Sequence, residues 1–218
     1  MTSKEIIKKF SLMADQTNIE GMARFGINAD KAFGIRMPEI RKIASGIKRD
    51  SNLAKELWES GFHEARILAS MVADASGFDE VSADKWANDF DSWDVCDQCC
   101  LNLFVNADFR EKKIHQWCIS EKEFVRRASF ALIAVSAVHL KKIPDESFLE
   151  YLPLIEQYSS DGRNFVKKAV NWALRQIGKR SMFLNANAIA FAENLALAKN
   201  SSAKWIASDA IRELKDEK

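Results

Sequence analysis

Five aromatic residues, Phe62, Trp93, Phe124, Phe165 and Trp205, stand at equivalent points of five segments, separated by 31, 31, 41 and 40 residues. The aligned stretches are Phe62-His63-Glu64-Ala65-Arg66, Trp93-Asp94-Val95-Cys96-Asp97, Phe124-Val125-Arg126-Arg127-Ala128, Phe165-Val166-Lys167-Lys168-Ala169 and Trp205-Ile206-Ala207-Ser208-Asp209. Each opens a segment whose apolar residues recur with helical spacing, and shorter helices are predicted between them at 53–59, 80–88, 110–118 and 147–156. A helix pair of this size cannot enclose a core alone, so successive pairs must bury one another's apolar faces. The expected class is all-α, a HEAT-like or armadillo-like α-solenoid with a concave face, formed as a single domain over residues 1–218.

Composition narrows the class further. The chain has 218 residues and is 47% hydrophobic, enough for a substantial core. Only 3 prolines and 8 glycines interrupt it, and no stretch shows the period-2 alternation of strands. Pro38 suits the first turn of a helix, Gly61 and Gly77 fall at predicted breaks, and Asp91 and Asp161 are placed to cap the helices after them. No segment is apolar for long enough to span a bilayer, and the charged start Met1–Phe10 does not resemble an export signal. Four cysteines, three of them clustered at 96, 99 and 100, point to a reducing cytoplasm rather than to a secreted disulfide framework.

Net charge is +1, yet its distribution is uneven. Residues 1–110 carry 14 Lys/Arg against 18 Asp/Glu, whereas the remainder carries 18 against 13. From Gly162 to Arg180 the basic residues Arg163, Lys167, Lys168, Arg175, Lys179 and Arg180 occur without an acid. Arg126-Arg127 and Lys167-Lys168 follow their aromatics in the same register, so cations recur from repeat to repeat, as a phosphate backbone would require.

The second repeat adds a carboxylate one helical turn beyond its aromatic, within an otherwise apolar helix. Trp93 and Asp97 are four residues apart and share a helix face. A ring face beside an acceptor-only carboxylate suits a cationic ligand, or a cation that forms during reaction. The alternative is a core tryptophan and a structural ion pair. Trp172 and Arg175 also share a face, where a ring can stack on a sugar while the guanidinium meets phosphate; a buried repeat tryptophan is the competing reading. Cys96, Cys99, His115 and Cys118 could formally ligate zinc, but small apolar cysteines within a helix are better read as packing, and no metal is expected. No phosphate-cradling glycine loop, dinucleotide fingerprint or HExxH helix is present.

Taken together, these motifs resemble the bacterial DNA alkylation repair glycosylases of the AlkD type, over most of the chain. Phe33-Gly34-Ile35-Arg36-Met37-Pro38-Glu39-Ile40-Arg41 is similar to the family's Gly-Ile-x-x-Pro-x-x-Arg element, and His63-Glu64-Ala65-Arg66 to its His-Glu-x-Arg helix. Trp93 and Asp97 resemble its catalytic Trp-x-x-x-Asp pair, Arg127 its phosphate-facing arginine, and Trp172 with Arg175 its Trp-x-x-Arg helix. The resemblance implies excision of N3- or N7-alkylated purines from duplex DNA without base flipping, by a monomer in the bacterial cytoplasm or nucleoid, with no cofactor. It implies that Asp97 stabilises the sugar cation and positions water, that Trp93 and Trp172 flank the sugar, and that Arg36, Arg127, Lys168 and Arg175 hold the backbone; the basic register adds Arg126 and Lys167 as further DNA-binding candidates. The competing functions are a non-catalytic binder of damaged or branched DNA and a protein-binding HEAT scaffold.

Overall fold

The computed structural model describes residues 1–216, which form α-helices and three short 3-10 turns without a strand. The chain divides into two compact units, Met1–Arg110 and Glu111–Lys218.

The first unit contains α1 (Ser3–Leu12), α2 (Gln16–Arg24), α3 (Met37–Ser45), α4 (Ser51–Glu59), α5 (His63–Val72), α6 (Glu80–Asn88) and α7 (Trp93–Asn102). Polar caps set several of the starts: Thr2 and Glu5 form a reciprocal capping box, while Asp15, Asp50 and Asp79 each accept the backbone N–H three residues on. Pro38 lies in the first turn of α3, as its sequence position predicts. Helix α5 is the centre of the unit, packed by α3, α4 and α7. Leu57, Ile67, Leu68 and Val95 fill the core, and Trp58 stacks on Trp86 at 4.0 Å between ring centroids.

The second unit contains α8 (Arg110–Cys118), α9 (Glu123–His139), α10 (Leu152–Tyr158), α11 (Asn164–Arg180), α12 (Met182–Leu195) and α13 (Ser201–Asp216). Helix α9 packs along α11, which also meets α12 and α13. Small residues permit this closeness, since Ala128, Ala131, Ala134, Ala169 and Ala173 are all buried. At Gly178 an added Cβ would lie 2.6 Å from a methyl of Leu214 and 3.0 Å from Ala188, so glycine is required there by contact rather than by backbone angle.

The aromatic register survives in three dimensions. Phe62 caps α5, Trp93 starts α7, and Phe124 and Phe165 are the second residues of α9 and α11; Trp205 sits one turn inside α13. Two expectations need correction. Neither Asp91 nor Asp161 caps the helix after it, because Ser92 and Arg163 occupy those positions, and both carboxylates instead accept from side chains elsewhere. The helix expected at 147–156 divides into a 3-10 turn, Asp145–Tyr151, and α10, with Pro153 in the first turn of α10.

Candidate nucleic-acid interface

Helix α7 has a buried side and an accessible one. Val95, Cys96, Cys99 and Cys100 are fully buried, whereas Trp93, Asp94, Asp97 and Gln98 keep part of their surface. Residues three and four apart align on a helix, so this partition puts Trp93 and Asp97 together on the accessible side. The Trp93 indole Nε1–H donates to the carbonyl of Phe25 at 3.0 Å, which fixes the ring against the end of α2. Asp94 accepts from the Val95 N–H and meets His63 Nε2 at 2.8 Å. Burial opposes protonation of His63, but its bond to Asp94 and the negative charges of Asp94, Glu64 and Asp91 outweigh that cost and raise its pKa.

Beside His63, Glu64 is buried and holds the segment before α3. Its Oε1 accepts from the backbone N–H groups of Phe33, Gly34 and Ile35 at 3.0, 2.6 and 3.2 Å, while Oε2 also accepts from Phe33 at 2.9 Å. Gly34 has φ +73, and a Cβ there would strike the Asp15 carbonyl. The loop is therefore rigid where it delivers Arg36, an exposed residue that has no ion-pair partner among the described residues. The Gly-Ile-x-x-Pro-x-x-Arg and His-Glu-x-Arg motifs are in this way two halves of one device: the glutamate of one clamps the loop of the other.

In the second unit, most of the predicted backbone-binding cations already have protein partners. Arg126 donates to Asp161 at 2.7 Å and lies over the Tyr158 ring. Asp161 is disfavoured as an ion by burial, yet hydrogen bonds from Arg163 and Arg126 bring its pKa down to about 2. Arg127 is only 6% exposed and donates to the Phe165 carbonyl at 2.7 Å. Lys167 lies 4.8 Å over the ring of Trp205. Arg175 pairs with Glu213 and lies 3.7 Å from Asp209, and Lys179 pairs with Glu213 at 2.6 Å. Lys168 is exposed and has no ion-pair partner among the described residues, and Trp172, one turn along, is half-buried.

A second Trp-x-x-x-Asp, at Trp205 and Asp209, tests how far spacing alone can be read. Asp209 accepts from Asn171 at 2.6 Å, pairs with Arg212 and lies near Arg175. This copy joins α13 to α11 structurally. Local sequence carries no signal for this pairing or for the neutralising role of Glu213, because Asp209 and Glu213 follow the end of the basic stretch by 29 and 33 residues.

The zinc alternative has no geometric support among the described residues, where no group of three or more His, Cys, Asp or Glu side chains is placed to hold a metal ion. Burial pushes the Cys99 thiol well up, with Cys96 acting in the same direction, and Cys118 donates to the His115 carbonyl at 3.1 Å. Buried thiols of this kind pack rather than react.

A solved structure described as one of "a new family of proteins related to the HEAT-like repeat DNA glycosylases with affinity for branched DNA structures" superposes with a TM-score of 0.81. The match covers 97% of this chain and 95% of that one at 16% identity, which establishes the HEAT-like, all-helical fold. Comparison with curated proteins gave no match. The family model for DNA alkylation repair enzymes matches residues 6–214, and the chain belongs to that family.

Proposed function

We propose that the protein is a monofunctional DNA N-glycosylase that removes cationic N3- or N7-alkylated purines from duplex DNA. The observation that supports this reading is that Trp93 and Asp97 share the partly accessible side of α7, opposite the buried Val95, Cys96, Cys99 and Cys100, in a member of the DNA alkylation repair family. Alkylation gives the purine a positive charge and makes it a good leaving group. As the C1′–N bond breaks, its electron pair passes to the base, which departs neutral, and the sugar becomes an oxocarbenium ion. Asp97 stabilises that cation and orients a water whose oxygen bonds C1′; the water's proton passes to the carboxylate or to solvent. The Trp93 ring face adds electrostatic attraction for the same positive charge.

The base need not leave the stack, because the groups assigned to chemistry address the sugar. Direct phosphate contact falls to Arg36 and Lys168, the exposed cations. Arg126, Arg127, Lys167 and Arg175, engaged within the protein, contribute positive potential, and Trp172 offers a ring face to a backbone sugar. No cofactor is required for a hydrolysis of this type.

The test is release of 7-methylguanine or 3-methyladenine from methylated duplex DNA. Wild type should release base, and Asp97→Asn should slow release by about 100-fold, the scale of losing one preorganised electrostatic group. No release by wild type, with salt-sensitive DNA binding intact, would establish the non-catalytic branched- or damaged-DNA binder instead. That alternative is favoured by the branched-DNA affinity ascribed to the structural neighbour.

A further inference from the structure

A cleft of ≈ 380 Å³ in the first unit is lined by Phe25, whose carbonyl holds the Trp93 indole, and by Arg36, and apart from the phosphate contact of Arg36 its walls are not used in the proposed excision. It is bounded by α2, the Gly34–Met37 segment, α5 and the first turn of α7. Its walls are apolar and adaptable, including Met22, Phe25, Ile35 and Met37, with His63 and Asp94 as polar lining and Arg36 as a cationic one. Phe25 is 70% exposed. Its carbonyl receives the Trp93 indole N–H, so the cleft and the Trp93 face share a wall.

We propose that this cleft receives a single unpaired nucleotide of a damaged or branched DNA, with preference for a base that carries an exocyclic amino group. The inference rests on the DNA reading above but concerns a different nucleotide from the one excised. Size admits it, since small-molecule sites span roughly 300–1,000 Å³. Chemistry selects it over a purely apolar ligand. Thioether and aromatic walls offer a face to a flat ring, as in other single-strand sites. Arg36, exposed and held in place by the loop that Glu64 clamps, is available to the attached phosphate. Asp94 uses one carboxylate oxygen toward Val95 N–H and the other toward His63, which leaves acceptor capacity on both oxygens for an amino donor. An unpaired base offers its ring face and its amino group together, whereas a paired base keeps its face in the stack and shows only the groove-side amino hydrogen.

Gly21 allows a clean test, because it lines the cleft and a Cβ added there would meet nothing within 4 Å. Gly21→Leu therefore adds apolar bulk at the cleft wall with no clash at Cβ, and leucine favours the helix over glycine. The probes are a duplex with a one-nucleotide 2-aminopurine bulge and the same duplex fully paired, followed by anisotropy and by 2-aminopurine fluorescence. Wild type should prefer the bulged duplex by about tenfold, the scale of one base stacked on protein, with a change in 2-aminopurine emission. Gly21→Leu should lose both effects while binding the paired duplex within about twofold of wild type. Equal binding of the two duplexes by wild type, or a bulge preference that persists in Gly21→Leu, overturns the cleft proposal and leaves the excision proposal standing. Failure to bind either duplex at low salt overturns the DNA reading and this inference with it.

Discussion

Replacing Glu64 with glutamine isolates the clamp that presents Arg36, since it keeps the shape and removes the charge. In the native protein one carboxylate accepts three consecutive backbone N–H groups, and Phe33 N–H is shared by both oxygens at 3.0 and 2.9 Å. Glutamine can keep one acceptor on Gly34 and Ile35, but its amide nitrogen then faces the Phe33 N–H, donor against donor. Hydrogen bonds to a charged acceptor contribute about 1.5–3 kcal/mol and neutral ones about 0.5–1.5, so three weakened bonds cost about 3 kcal/mol. For a chain of this size that lowers Tm by roughly 6–12 °C.

The assay is urea and thermal unfolding of Glu64→Gln beside wild type, with DNA affinity measured well below the transition. The folded variant should also bind duplex DNA several-fold more weakly, because Arg36 is delivered by the loop that has loosened. Adding Arg36→Ala should then cost less affinity in Glu64→Gln than in wild type, a coupling that a merely destabilised protein would not show. A stability loss under about 0.5 kcal/mol, or full additivity of the two changes in DNA affinity, would refute the clamp argument.

Two further outcomes follow from the charged groups. His63 has a raised folded pKa, so its pairing with Asp94 stabilises fully below the unfolded value of 6.5 and the contribution fades as pH rises through the higher folded value; Tm of wild type should fall above pH 6.5 relative to His63→Gln, and parallel profiles would contradict the assignment. Glu213 has its pKa lowered, against the effect of burial, by Lys179 and Arg175. Glu213→Gln removes the charge facing both, and DNA binding at low salt should tighten by about threefold to tenfold with a salt slope steeper by about one; unchanged affinity and slope would show that this part of α11 lies off the DNA.

The helical periodicity was legible because it depends on local spacing, and 80–88 and 110–118 coincide with the observed helices to the residue. The HEAT-like pairing followed from the aromatic register for the same reason. Charge was legible only as a tally. The acid-free stretch from Gly162 to Arg180 reads as an anion-facing surface, yet in the folded chain Arg175 and Lys179 meet Glu213, and Arg180 meets Asp145. Those partners come from other helices, and their approach depends on how α11 is packed, which no local window contains.

The two Trp-x-x-x-Asp copies show what spacing alone leaves open. Spacing makes Trp93–Asp97 and Trp205–Asp209 equivalent, since four residues along a helix bring the same two groups to one face in either repeat. The distinction lies in what the neighbouring helix presents: α11 meets Asp209 with Asn171 and Arg175, so that carboxylate joins two helices. At the other copy, the aromatic meets different groups. Phe25 takes the indole N–H of Trp93 while leaving most of its own ring exposed, and the Glu64 clamp holds Arg36 out toward solvent. Identical spacing in two repeats therefore does not fix identical surroundings, because the elements that the fold packs against each copy decide what its aromatic and its carboxylate meet.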